Sequence, residues 1–292
     1  MNPTRAMQAA ALAISRRPVL TLLLLAVALS PLVAASARVR PDNSLAAWFV
    51  EGDPALAGYQ AFLREYGNDE AVLVGFATPG GARSAAERAV QERIAARVAL
   101  VDGIERVVDG GALPPPLSSG LVAADDSAAA VVAWLGVRPD IERVRSRIIA
   151  DVRNAAAAEL APLGRDVHLA GTGVLYDGLN EQTMQDTGIF LTLALVAMVV
   201  LLAAGLRSAR AVGIALVGPL LAAAAGIGVL GLAGRPFTVV GSALPTLILV
   251  IALADAIHVL LHYERVRRDA PPADAASRRR QAAEAVGWVA LP

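Results

Sequence analysis

Long uncharged apolar stretches are the dominant pattern of this chain. They occupy residues 19–37, 187–206, 211–234 and 242–263 of the 292-residue sequence. Each stretch is long enough to cross a hydrocarbon core of about 30 Å at a helical rise of 1.5 Å per residue. The pattern therefore predicts four membrane helices, in keeping with a chain that is 56% hydrophobic and only 18% charged.

The segment between the first two stretches, residues 38–186, is polar and has its own pattern of strands and helices. Asn43-Ser44 predicts the start of a helix that runs to about Tyr66. Beyond it, hydrophobic periodicity and Gly/Pro breaks predict strands at 70–77, 105–109, 128–137 and 166–170 and helices at 84–101 and 139–160. The order β-α-β-β-α-β is typical of a ferredoxin-like α+β domain, although another α+β sandwich would satisfy the same pattern.

Charge is divided unequally between these parts. The whole chain has 26 basic and 26 acidic residues, whereas residues 38–186 hold 21 acidic and 14 basic ones, a net charge of −7. Such a chain lacks the basic surface of a nucleic-acid-binding protein, so we expect no nucleic-acid partner. The sequence contains no cysteine, which excludes disulfides and zinc–thiolate sites.

Arginines near the ends of the apolar stretches predict the orientation of the chain. They are Arg5, Arg16 and Arg17 before the first stretch, Arg207 and Arg210 between the second and third, and Arg265, Arg267 and Arg268 after the fourth. By the positive-inside rule, residues 1–18 and 264–292 lie in the cytoplasm and residues 38–186 form a periplasmic domain. We expect a multi-pass protein of the bacterial inner membrane.

Both ends of the chain leave a question open. Ala35-Ser36-Ala37 also fits the cleavage site of a signal peptide, but the first stretch is longer than a signal core, which favours a retained span. Near the other end, residues 277–286 predict an amphipathic helix at the membrane surface, with Arg278, Arg279 and Arg280 on its polar face. The final residues look like the entrance to a fifth span, so we expect the sequence to be truncated there.

Asp255, His258 and His262 form the one ionisable cluster at membrane depth. At 100° per residue they share a face about 60° wide on the fourth predicted helix. A carboxylate in hydrocarbon is expected to face the bundle interior or a wet cavity, and neutral imidazoles can pass its proton onward. The cluster predicts a proton relay. Two alternatives are a structural hydrogen-bonding role for Asp255 and a metal site formed by the three side chains.

Other candidate chemistry is sparse. The third stretch contains a small-residue row, Gly218, Ala222 and Gly226, that predicts close helix packing. His168 falls in a predicted strand and is expected to be structural. The sequence matches no phosphate loop, dinucleotide fingerprint or nucleophile elbow, so we expect neither an enzyme nor a bound cofactor or metal.

Several motifs together resemble the first half of a resistance-nodulation-division (RND) superfamily permease, closest to the MmpL-like and hydrophobe/amphiphile exporters. They are Pro41-Asp-Asn-Ser-Leu45, Trp48-Phe49, Phe62-Leu-Arg-Glu-Tyr-Gly-Asn-Asp-Glu70, Leu169-Ala-Gly-Thr-Gly173, Ala254-Asp-Ala-Ile-His258 and Tyr263-Glu-Arg265. The resemblance implies proton-motive-force-driven export of lipid-like or amphiphilic molecules, with a porter-like periplasmic domain. It also implies that Asp255 is the relay acid.

Two departures from that family pattern affect the expected function. Drug exporters of the superfamily have two adjacent aspartates where this chain has Ala254 and Asp255, so His258 would have to replace the second carboxylate. The family also has two six-span halves. We therefore expect the chain to act with a second half or with further copies of itself, among membrane lipids. The alternative is a non-transporting accessory whose periplasmic domain binds lipid or a partner protein.

Overall fold

The computed structural model describes residues 12–14, 16–50, 52–114, 116–206, 208–272 and 274–289. The chain divides into two compact units, one formed by residues 41–182 and the other by residues 1–40 together with 183–292. This division falls within four residues of the boundaries of the predicted domain at 38–186.

The unit 41–182 contains a four-stranded antiparallel sheet. Its strands are β1 (Ala71–Ala77), β2 (Ile104–Asp109), β3 (Ala128–Leu135) and β4 (His168–Ala170), in the spatial order β2-β3-β1-β4. Its helices are α2 (Pro54–Tyr66), α3 (Ala85–Val98) and α4 (Ile141–Leu160). The four strands and the two crossover helices, α3 and α4, follow the predicted order, with ends that differ by up to three residues.

The core of this unit lies between the sheet and the helices α3 and α4. Alternate residues of the strands, such as Val72, Val74 and Phe76, point into it because side chains alternate across a strand. Ile94 of α3 and Ile148 of α4 lie in the same cluster. The opposite face of the sheet is left outside this core.

The segment before the sheet differs from the predicted single helix. Residues Leu45–Trp48 form a short 3₁₀ turn, and α2 begins only at Pro54. Gly52 has a φ of +82°, which breaks the helical backbone, and Asp53 caps the new helix by accepting from the Ala55 amide at 2.8 Å. Proline suits the first turn of a helix because its missing N–H would have no intrahelical partner there.

The second unit is helical, and four helices are long and apolar enough to cross a membrane. Its helical segments are α1 (Pro18–Ser36), α5 (Thr172–Leu206), which begins before the unit boundary, α6 (Ala209–Leu232), α7 (Leu244–Asp269) and α8 (Ala275–Val289). The predicted span at 187–206 is thus the C-terminal part of the longer helix α5. In the same way α7 continues past its predicted end at residue 263, and Pro271-Pro272 stop it soon after Asp269.

Packing within the helical unit centres on α6. This helix contacts α1 on one side and α7 on the other, and α8 packs against α7. The buried cluster of the unit includes Leu202, Ala215, Leu249 and Leu253. Arg278, Arg279 and Arg280 are exposed on α8, as expected for the polar face of an amphipathic helix.

Candidate functional site

The predicted relay residues lie on one face of α7. Asp255, His258 and His262 fall within about 60° of one another at 100° per residue. The buried residues Leu249 and Leu253 lie on the opposite side of the helix and pack among the other helices. We call the three-residue face the polar stripe.

The polar stripe is on the outside of the helical unit. Asp255 and His258 are exposed and His262 is half-buried. Hydropathy alone predicts that a carboxylate inside a span faces the bundle interior. The described helices instead leave Asp255 and His258 exposed. A charged side chain at the bilayer centre costs about 2.5–3.5 kcal/mol even on insertion scales, so this face requires water or another protein surface in the membrane.

Metal binding would need a different arrangement of side chains. Within the part of the chain that the structure describes, no group of three histidine, aspartate or glutamate side chains is placed to hold a metal ion. His168 is exposed at the start of β4, in the unit 41–182.

The small residues of α6 make close contacts at one position of the predicted row, Gly226, and at two positions outside it. A Cβ on Gly226 would lie 2.4 Å from Ile248 Cδ1 of α7, Ala222 is half-buried, and a Cβ on Gly218 would meet open space. The tightest approach is to α1. A Cβ on Gly228 would lie 1.9 Å from the Leu32 carbonyl oxygen, and one on Gly231 would lie 2.2 Å from the Ala35 carbonyl oxygen.

These two glycines therefore let the backbones of α1 and α6 touch. Because the obstacle is backbone carbonyl oxygen, no rotamer change could make room for a side chain. The glycines 228 and 231 are three residues apart, whereas the predicted row follows a spacing of four. The glycine and alanine content of the third stretch indicates close helix packing. Which glycines make the close contact depends on the position of the partner helix.

A buried ionic network, which the sequence did not predict, lies in the unit 41–182. Arg145 of α4 is only 1% exposed and Glu70, just before β1, is 6% exposed. The Arg145 guanidinium donates from Nε and Nη2 to the two Glu70 carboxylate oxygens, both at 2.8 Å, and it also pairs with Glu142. A two-pronged pair of this kind is among the stronger hydrogen-bonded contacts in proteins.

The network continues to the start of α5. Asn180 donates to Glu142 Oε2 at 3.0 Å, and its own Oδ1 accepts from the Asn43 amide and side chain at 3.0 and 2.9 Å. Thr172 Oγ1 accepts from the Ala71 amide at 3.0 Å. The motif segments around Asn43, Glu70 and Thr172, far apart in sequence, thus meet around one arginine.

Hydrogen bonds within this cluster stabilise the charged form of Arg145. Burial disfavours the charged form of Arg145, but the hydrogen bonds to Glu70 and Glu142 outweigh it and raise the pKa of the guanidinium. Burial, together with the hydrogen bond to Asp69 at 3.0 Å, raises the pKa of Tyr59. The arginine remains ionised at every physiological pH, which makes the network an anchor for α5 and not a site of proton transfer.

Four helices that are long and apolar enough to cross a membrane are typical of the class of multi-pass membrane proteins. The model of the MMPL family matches residues 57–263, and the chain belongs to this family. MMPL proteins are RND-type transporters that handle hydrophobic substrates. No curated protein was found with significant similarity to the chain.

Proposed function

We propose that the chain is one part of a proton-motive-force-driven exporter of hydrophobic or amphiphilic molecules. The observation that carries this proposal is the polar stripe of Asp255, His258 and His262 inside an otherwise apolar span. A carboxylate there takes up and releases protons, and two imidazoles stacked over the next two turns extend its path. The energy source is the proton gradient, and no cofactor is required.

The size of that energy supply limits the mechanism. One proton that moves across about 150 mV releases roughly 3.5 kcal/mol. This amount supports export against a concentration ratio of a few hundred for each proton moved, at 1.4 kcal/mol for each tenfold step. Uphill movement of a lipid-like molecule from the membrane is within that range.

Orientation in the membrane follows from the arginines. Arg16 and Arg17 lie just before the first span, Arg210 lies at the start of the third, and Arg267 and Arg268 lie in the last turn of α7. Under the positive-inside rule these ends are cytoplasmic, and the unit 41–182, which we call the inserted unit, is periplasmic. The membrane is then the inner membrane of a bacterium. The strand order β2-β3-β1-β4, with two helices against one face, supports a ferredoxin-like, porter-type fold for that unit.

The first span is retained in this proposal. Ala35 belongs to the candidate cleavage site, yet it is buried and helical, and its carbonyl oxygen lies against Gly231 of α6. Cleavage after Ala37 would remove the helix against which α6 packs. Pro31, inside the same helix, leaves the Val27 carbonyl without its usual amide donor, and the Ser30 hydroxyl donates to that carbonyl at 2.9 Å.

A second polypeptide surface completes the transporter. Asp255 and His258 are exposed on the outer face of the helical unit, where bare hydrocarbon would be unfavourable. Either the second half of an RND-type transporter or another copy of this chain would cover them. Membrane lipids and the hydrophobic substrate are the remaining partners.

Replacement of the relay acid tests the proposal. In cells that express the complete transporter, we expect Asp255→Asn to abolish energy-dependent efflux of Nile red and to leave membrane insertion intact. Glu264→Gln, near the cytoplasmic end of the same helix, is the matched control and should transport normally. Normal efflux by Asp255→Asn would refute the relay role of Asp255.

A further inference from the structure

A groove of about 850 Å³ lies on the face of the sheet that α3 and α4 leave uncovered. Strands β1, β3 and β4 form its floor, and the segment from Pro116 to Ala124 forms one wall. Its volume is in the range of pockets that hold small molecules, about 300–1,000 Å³. All of the residues that line it belong to the unit 41–182.

The floor of the groove is built from unusually small side chains. Gly75 of β1 is paired with Ala130 of β3, and Ala77 is paired with Ala128. The next pair on the same face of the sheet is Leu73 with Val132, which closes the groove at that end. Because strands favour branched and aromatic residues, two adjacent pairs of Gly or Ala leave a trough one side chain deep.

The wall of the groove is held in place by the sheet. The Ala130 amide donates to the Leu121 carbonyl oxygen at 2.7 Å, and Val122 forms a bridge with Ala129. These contacts occupy the edge of β3 beyond the point where β2 ends at Asp109. Backbone contacts therefore tie the wall to the edge of β3.

The polar side chains that line the groove are Arg83, His168 and two serines of the wall, Ser118 and Ser119. Arg83 lies in the loop between β1 and α3, and the exposed His168 is the first residue of β4. Arg83 is paired with Asp126 and its side chain is 48% exposed, so most of the five N–H donors of its guanidinium remain free for another acceptor. Arg165, which donates to the Ala77 carbonyl oxygen, is paired with Glu87. Arg83 is therefore the charged hydrogen-bond donor that lines the groove.

We propose that this groove binds the chain of a single-chain anionic amphiphile of the fatty-acid type. The alkyl chain lies on the Gly75, Ala77, Ala128 and Ala130 floor, and the carboxylate accepts hydrogen bonds from Arg83 at the rim. The inference rests on the proposed function, because it gives one class of hydrophobic molecule a binding site in the inserted unit. An unbranched alkyl chain fits a trough that is lined by small side chains. Arg83 can exchange its contact with the Asp126 carboxylate for one with the ligand carboxylate.

Photocrosslinking in nanodiscs tests the groove directly. The full chain is incubated with a diazirine-bearing palmitic acid, irradiated and mapped by mass spectrometry, with crosslinks to the membrane helices as the internal reference. We expect crosslinks on β1, β3 or the 116–124 segment that excess palmitate removes. Ala77→Trp fills the trough from an exposed position and should reduce them at least tenfold, whereas Ala96→Trp, exposed on α3, should not.

The head group is tested separately from the trough. Arg83→Gln should weaken competition by palmitate about tenfold and leave competition by the neutral hexadecanol unchanged. Hydrogen exchange of the β1 amides reports folding, and Ala77→Leu replaces Ala77→Trp if the larger side chain lowers protection. Crosslinks confined to the membrane helices, or groove crosslinks equal in wild type and Ala77→Trp, would overturn the proposal. Because the assay needs no transport, its failure is distinct from failure of the Asp255 relay.

Discussion

Replacement of Arg145 by methionine would leave a carboxylate without its counter-charge inside the inserted unit. Arg145 is 1% exposed, Glu70 is 6% exposed, and both Glu70 oxygens accept hydrogen bonds from the guanidinium at 2.8 Å. Methionine fills much of the volume but removes every donor. Loss of one partner of a buried ion pair costs about 3–5 kcal/mol, because the remaining charge stays desolvated.

Native-state hydrogen exchange measures that loss in the full chain. At 1.4 kcal/mol for each tenfold change, protection of the β1 and β3 amides should fall by roughly 10²-fold or more in Arg145→Met, while amides of α6 serve as the internal reference. The matched control is Arg147→Met on the same helix. The Arg147 side chain is 78% exposed and its pair with Asp151 spans 3.6 Å, so the change should be under about 0.5 kcal/mol.

A double variant separates the lost ion pair from lost packing. Arg145→Met combined with Glu70→Gln removes the isolated charge and should restore part of the protection that Arg145→Met loses. If Arg145→Met lowers protection no more than Arg147→Met does, the ionic network is not what holds these motif segments together.

Two further variants test the packing and the pH dependence. Gly228→Val should prevent α1 from packing on α6, because its Cβ would meet the Leu32 carbonyl oxygen, whereas Gly218→Val should be tolerated. Cysteine crosslinking between α1 and α6 measures the difference between the two variants. Equal crosslinking in both variants would contradict the contact between these helices. The Arg165 guanidinium lowers the pKa of Glu87, so this pair stabilises the fold above the ordinary glutamate pKa of about 4.3 and is lost as pH falls through the lowered value. Acid unfolding followed by circular dichroism should therefore show wild type more stable than Glu87→Gln at pH 7, with a difference that shrinks as pH falls through the lowered pKa of Glu87. A constant difference at every pH would show that the charge of Glu87 is irrelevant.

Local sequence signals predicted the elements of the inserted unit because they depend on neighbours along the chain. Alternation at Val72, Val74 and Phe76 marks β1, and Ser84 before an apolar-periodic run marks α3, whose cap accepts from the Glu87 amide at 3.3 Å. The single predicted helix at 43–66 was wrong. Pro54 was the available signal, since proline is favoured in the first turn of a helix and not in its interior.

Exposure and burial that depend on a neighbouring helix or strand could not be predicted from the sequence pattern. Helical periodicity puts Asp255, His258 and His262 on one face, but only the position of the neighbouring helices decides that this face is external. Similarly, an Arg145 three residues after Glu142 looks like an exposed helical pair. Its burial depends on Glu70, 75 residues away, which no periodicity connects to it.

Coupling between protons and substrate is the central claim, and proton flux in proteoliposomes measures it most directly. The transporter that contains this chain is reconstituted with the pH indicator pyranine inside, and Nile red movement is followed at the same time. The account predicts that an imposed pH gradient drives Nile red movement with counterflow of protons, and that Asp255→Asn loses both. Nile red transport that persists in Asp255→Asn, or that a protonophore leaves unchanged, would contradict it.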